Sequence, residues 1–157
     1  MNFIRVLCVA IVVFLIDRIS KFWVVDILDL GNIGQIEVWP PYLNFRMAWN
    51  KGINFGLLNM GDDGRWVLIA LSIVVVIFVI IWTRRARGWL IPIATGAIVG
   101  GALGNVFDRV VYGAVADFLN MSCCGIQNPF AFNIADAAIF AGAVILIIFA
   151  DSGSRKA

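Results

Sequence analysis

The sequence predicts a mainly α-helical polytopic membrane protein: four transmembrane helices, a small extracytoplasmic cap containing β-structure, and an interfacial amphipathic segment. Three observations lead there. Hydrophobic residues make up 62% of the 157 and charged residues only 14%, against roughly 45–50% and about 25% in soluble domains. The apolar residues gather into four long runs, each near the length that crosses a bilayer. Between the first two runs lies a mixed stretch with strand-like alternation and many turn residues. The chain reads as one membrane domain over residues 1–157, with spans at about 3–25, 66–82, 89–107 and 132–150 and the cap at 26–65.

The first run starts with Arg5 ahead of VLCVAIVVFLI, as a secretory signal peptide does. It continues through Asp17, Arg18 and Lys21 into FWVV with no small-x-small cleavage site and no lipobox at Cys8, so a retained helix is expected. In the cap, Tyr42 to Trp49 alternates, with Leu43, Phe45, Met47 and Trp49 on one face and Asn44, Arg46 and Ala48 on the other. Period two predicts a strand, begun by Pro40-Pro41. Glycines at 52, 56, 61 and 64 then predict a turn and a short amphipathic piece at the membrane surface. The second run, Trp66 to Trp82, is nearly unbroken, and TRRARG separates it from the third. In the third, Gly96, Gly100 and Gly104 recur every four residues and form a face that another helix can approach closely. The fourth run ends in the polar tail DSGSRKA.

Basic residues set the orientation. Arg5, then Arg84, Arg85 and Arg87, then Arg155 and Lys156 all fall on one side of a four-span chain, which makes that side cytoplasmic. Both termini are then cytoplasmic, Trp23 and Trp66 lie at the outer interface, and Trp82 and Trp89 lie at the inner one. A net charge of +2 gives no reason to expect a nucleic-acid partner.

The absence of histidine removes the Ser-His-Asp triad, the Cys-His pair and His-bearing zinc sites. Adjacent Cys123 and Cys124 have nothing nearby to complete a metal site, leaving a disulfide, free thiols or simple packing open. Acid–base chemistry falls to the carboxylates, and ionisable groups beside membrane spans mark functional sites. Asp17 and Lys21 share a helix face at i, i+4, which fits an intrahelical ion pair or contact with a substrate headgroup. Asn105, Asp108 and Arg109 end the third span. Asn105 is expected to face the bundle and hold a neighbouring loop, while Asp108 and Arg109 read as a solvated helix end. Asp117 lies in an apolar loop, and Asn133 and Asp136 share a face at i, i+3 at the start of the fourth span. A solvated Asp117, an Asn133 cap and an Asp136 beside a helix N-terminus are the structural explanations. The pairing of Asp117 and Asp136 on one side of the membrane favours chemistry instead. Two carboxylates sharing a site hold one proton between them and supply an acid and a base, with no metal or organic cofactor.

Taken in order, DRISK, NKGINFG, GGALGNVFDR with VADF, and FNIADA resemble the lipoprotein signal peptidase (signal peptidase II) family, over nearly the whole chain. That resemblance implies a bacterial inner-membrane aspartic endopeptidase. It removes signal peptides from prolipoproteins, cutting on the N-terminal side of a cysteine that bears a diacylglyceryl group. It makes Asp117 and Asp136 the catalytic dyad. Asp17 and Lys21 belong to its first polar motif and Asn50, Gly52 and Phe55 to its second, while Asn105, Asp108, Arg109 and Asn133 support the site. It implies no metal and no cofactor, with prolipoprotein and membrane lipids as partners of a monomer. Asn54 and Ala137 depart from the family pattern, where Ala and Ser are usual. Two other classes fit the intramembrane acids less well: a proton-coupled carrier, which needs charges near the bilayer midplane, and an assembly protein built on the glycine face.

Overall fold

A computed structural model describes residues 1–52, 64–123, 125 and 128–149. Phe55, Asn54, most of the expected amphipathic segment, Cys124 and the C-terminal tail lie outside the described residues. Helix α1 (Phe3–Lys21) runs into a π-helical stretch, Phe22–Ile27. A single turn, α2 (Leu30–Ile33), leads to strands β1 (Gln35–Trp39) and β2 (Leu43–Asn50). Then come α3 (Gly64–Thr83), α4 (Leu90–Val111), β3 (Val115–Met121) and α5 (Ile134–Phe149). Each long helix falls within a few residues of an expected span.

Helix α4 is the centre, with α1, α3 and α5 each packed on it. Its small residues explain why. A Cβ on Gly96 would lie 2.7 Å from Val6 O, one on Gly100 would strike the Ala10 backbone, and one on Gly104 would lie 2.8 Å from Asp17 Oδ2. This is the glycine face expected from the four-residue repeat, and α1 fills it. On the α5 side, Gly101 meets Ala135 and Gly142 meets Ala94. Toward the other end, Val79, Ile91, Ala94, Ile98 and Leu146 join α3, α4 and α5. Beside them Thr95 donates to Thr83 at 3.1 Å, and Thr83 donates to Val79 O at 2.7 Å, a polar link suited to a lipid-facing bundle. The outward faces are apolar, as Ile4 (74% exposed) and Ile147 (75%) illustrate. Helices α3 and α4 have the length and composition to cross a membrane.

The N-terminal amine donates to Arg84 O at 3.2 Å, so the chain's start and the Arg-rich α3–α4 turn lie at one end of the bundle. The sheet sits at the opposite end, in the order β1-β2-β3, all antiparallel. Val24, Leu30 and Phe118, with Ile36, Phe45, Met47, Leu119 and Ile134 against them, anchor it to the helices. Against β3, Phe45 pairs with Leu119, but Ala48 pairs with Asp117. The partner numbers therefore sum to 164 and then 165, which places one extra residue in β2. Such a bulge reverses which side chains face which way. The simple alternation expected across 42–49 consequently breaks: Ala48 and Asn50 join the face of Asp117, and Trp49 turns to pack on Tyr112.

Candidate active site

Four polar side chains connect β3, α4 and α5. Asn133, just ahead of α5, accepts from the Asp136 N–H at 2.8 Å, as an N-cap does. With its oxygen so engaged, its Nδ2 must point away. It donates to Asp117 Oδ1 at 2.6 Å and to Asn105 Oδ1 at 3.3 Å. Asn105 is thereby oriented as well, and its Nδ2 donates to Asp136 Oδ1 at 2.7 Å. One backbone N–H thus dictates the direction of a chain running Asp117–Asn133–Asn105–Asp136.

From the other side Asn50 Nδ2 donates to Asp117 Oδ2 at 3.0 Å. Its own oxygen accepts the Gly52 N–H at 2.9 Å. Gly52 has φ +92°, where a side chain is strained, and a Cβ there would strike Leu68. Asn50 and Asp117 meet because of the β2 bulge. Without it, the strand's even positions would face away from Asp117.

Asp117 is 3% exposed and Asp136 half-buried. Burial, and then the charge of Asp136, push the Asp117 carboxyl from 3.8 up to about 6, against the opposing hydrogen bonds of Asn50 and Asn133 and the charge of Lys21. A carboxylate held this way keeps its proton near neutrality far more readily than a solvated one. Arg109 on α4 donates to Asn105 O at 3.2 Å, and its charge couples to Asp136, Asp117 and Asp108. Among the described residues, no three or more His, Cys, Asp or Glu side chains are grouped to hold a metal ion.

A second cluster lies directly beneath. Lys21 Nζ sits 2.9 Å from Asp17 Oδ2 and 2.6 Å from Asp108 Oδ2. Arg18 pairs with both carboxylates too, at 2.8 Å to Asp17. Asp17 and Asp108 are fully buried. Two cations and two anions leave the cluster neutral, which makes its burial tolerable.

These positions bring together every expected site residue that is described: Asp17, Lys21, Asn50, Gly52, Asn105, Asp108, Arg109, Asp117, Asn133 and Asp136. Two expectations change. Asp108 is not a solvated helix end, because Lys21 and Arg18 draw it into the bundle. Asp117 lies on a strand, since β2 is there to pair with VADFLNM. Asn105 faces the bundle as expected and holds Asn133, in the stretch just ahead of α5, as well as Asp136 within that helix. Arg18 escaped the sequence reading as a site residue. Its signal was a second cation inside a lipid-length run, one that Asp17 and Lys21 alone leave unpaired.

Comparison with known proteins identifies the family. A family model described as signal peptidase (SPase) II matches residues 9–150. The lipoprotein signal peptidase of Methylorubrum extorquens (strain PA1) is 43% identical over 136 residues, covering 85% of this chain and 77% of that protein. The lipoprotein signal peptidase of Caulobacter vibrioides is 39% identical over 141 residues, covering 89% and 82%. Two solved structures of bacterial membrane enzymes, determined by the in meso method, match with TM-scores of 0.76 and 0.78 at 26% identity. They cover 97% and 91% of this chain, and it covers 91% and 90% of theirs. A family model that spans nearly the whole chain, with relatives this similar along most of it, places this protein in the signal peptidase II family of peptidases.

Proposed function

We propose that the protein is an aspartic endopeptidase of the bacterial inner membrane that removes signal peptides from prolipoproteins. It cleaves on the N-terminal side of a diacylglyceryl cysteine, with Asp117 and Asp136 activating water. The observation that carries this reading is the pair of carboxylates tied together through Asn133 and Asn105, one of them raised to about 6. Asp117 holds the pair's proton and Asp136 is the base. Asp136 takes a proton from water as its oxygen attacks the scissile carbonyl carbon, while Asp117 gives its proton to the carbonyl oxygen. In the second half Asp136 passes its proton to the leaving nitrogen, the C–N bond breaks, and Asp117 recovers a proton from a hydroxyl of the tetrahedral intermediate. Protons and electrons balance, and Arg109 offsets the pair's single negative charge.

The membrane arrangement follows the same reading. Four spans, both termini in the cytoplasm and a monomer place the dyad near the outer interface. A substrate anchored by acyl chains arrives there laterally from the surrounding lipid. The β2 strand clamps the peptide on the cap side. To test the dyad, purified protein in detergent is given a lipid-modified prolipoprotein, and signal-peptide release is followed by gel shift. Asp117→Asn and Asp136→Asn are each expected to lower cleavage by about 10³-fold or more with the protein still folded. Cleavage that survives either substitution sinks the assignment, and ion flux in liposomes without cleavage points to a carrier.

A further inference from the structure

The neutral cluster beneath the dyad does more than fill the bundle. Asp17 Oδ1 accepts the N–H of Ala135, the residue before Asp136, at 3.0 Å. Asp108 Oδ2 accepts the N–H of Ala116, the residue before Asp117, at 3.3 Å. Both Ala116 and Ala135 are buried, at 2% and 0% exposure. Each carboxylate therefore holds the backbone immediately ahead of one member of the dyad, and Lys21 Nζ lies between the two carboxylates within 2.6 and 2.9 Å. Arg18 bridges the same pair from its other side. The path from one side of the dyad to the other is short: Ala116 N–H, Asp108, Lys21, Asp17, Ala135 N–H.

We propose that Asp17, Arg18, Lys21 and Asp108 form an ionic spacer that sets the separation of Asp117 and Asp136, with Lys21 as its hub. This inference rests on the dyad reading. The four are positioning residues, since they reach the reacting atoms only through the backbone of β3 and α5. Geometry gives the spacer leverage. Misplacing a catalytic group by about 1 Å costs on the order of 10²-fold in rate, and the coupling between two carboxylates falls as they separate. Among the described residues, the charges that couple to the dyad are Lys21 on α1 and Arg109 on α4. A change at Lys21 can therefore act through charge or through spacing, and the test must separate the two.

Lys21→Arg does so, because it keeps the charge and alters the reach. Steady-state cleavage of lipid-modified prolipoprotein is measured across pH for the full chain in detergent, for wild type, Lys21→Arg and Lys21→Met. Folded protein is quantified in each sample by its thermal melt. The spacer predicts that Lys21→Arg lowers kcat about tenfold, with KM changed less than about twofold, and alters the separation between the two limbs of the pH–rate profile. Lys21→Met is expected to lower kcat further. Arg18→Lys, at a more exposed position, gives the same changes at smaller amplitude and serves if the Lys21 variants do not fold. Variants that lose activity only in proportion to folded protein, with both limbs unmoved, overturn the spacer. So does a Lys21→Arg enzyme that behaves as wild type. Either result leaves the dyad standing, because that reading is decided by the Asp117→Asn and Asp136→Asn substitutions.

Discussion

Asn50 contributes one hydrogen bond to Asp117, and that bond has a definite sign. A donor to the ionised carboxylate favours ionisation, so Asn50 holds Asp117 below the value that burial and Asp136 alone would impose. Asn50→Ala is expected to move the limb of the pH–rate profile that reports loss of the dyad's proton to higher pH. A limb that stays in place or moves to lower pH shows that Asn50 does not tune the pair. The same shift bears on stability. Asp117 titrates at about 6 when folded and at an ordinary 3.8 when unfolded. Its contribution is fully present below 3.8 and lost as pH climbs through about 6, because the buried site disfavours the charge. Asp117→Asn removes that dependence. The difference in Tm between variant and wild type should therefore shift in the variant's favour from pH 5 to pH 8. A difference that is flat with pH excludes the raised carboxyl.

At the scale of elements, the sequence revealed the helices and their glycine face, because both depend on local periodicity. Gly96, Gly100 and Gly104 repeat within one helix, so a shared face follows without knowing the partner. What stayed hidden depended on distant pairing. Asp108 looks solvated until Lys21, 87 positions away in the chain, is placed 2.6 Å from it. VADFLNM lacks alternation and becomes a strand only because β2 pairs with it. One inserted residue in β2 then turned a regular pattern into two opposed halves, a change that no count of apolar residues can anticipate. The glycine face makes its own prediction. Gly100→Val drives a branched side chain into the Ala10 backbone and parts α1 from α4, at a cost of roughly 1–3 kcal/mol. A lowered Tm in detergent is expected, with activity falling too, since α1 carries Asp17 and Lys21. A variant with wild-type Tm and activity shows that the helices do not meet there.

For the whole molecule, the question is which way the bundle stands in the membrane. Helix α4 has 22 residues, about 33 Å at 1.5 Å each, enough to separate its two ends by a hydrocarbon core. At one end Arg84, Arg85 and Arg87 crowd the α3–α4 turn, joined by the N-terminus through Arg84 O. At the other end lie the sheet and both carboxylates. In the orientation proposed above, the positive-inside tendency puts the arginine end in the cytoplasm, and the proposed dyad faces outward. With Cys8, Cys123 and Cys124 replaced by Ser, single cysteines report the orientation directly. Gln35→Cys on the exposed edge of β1 is expected to react with a membrane-impermeant maleimide in intact spheroplasts. Arg85→Cys is expected to react only after permeabilisation. The reverse pattern places the dyad in the cytoplasm, and a peptidase there meets its substrate before export. Labelling of both sites in intact spheroplasts places the two ends of α4 on the same side, which a spanning helix of this length does not permit.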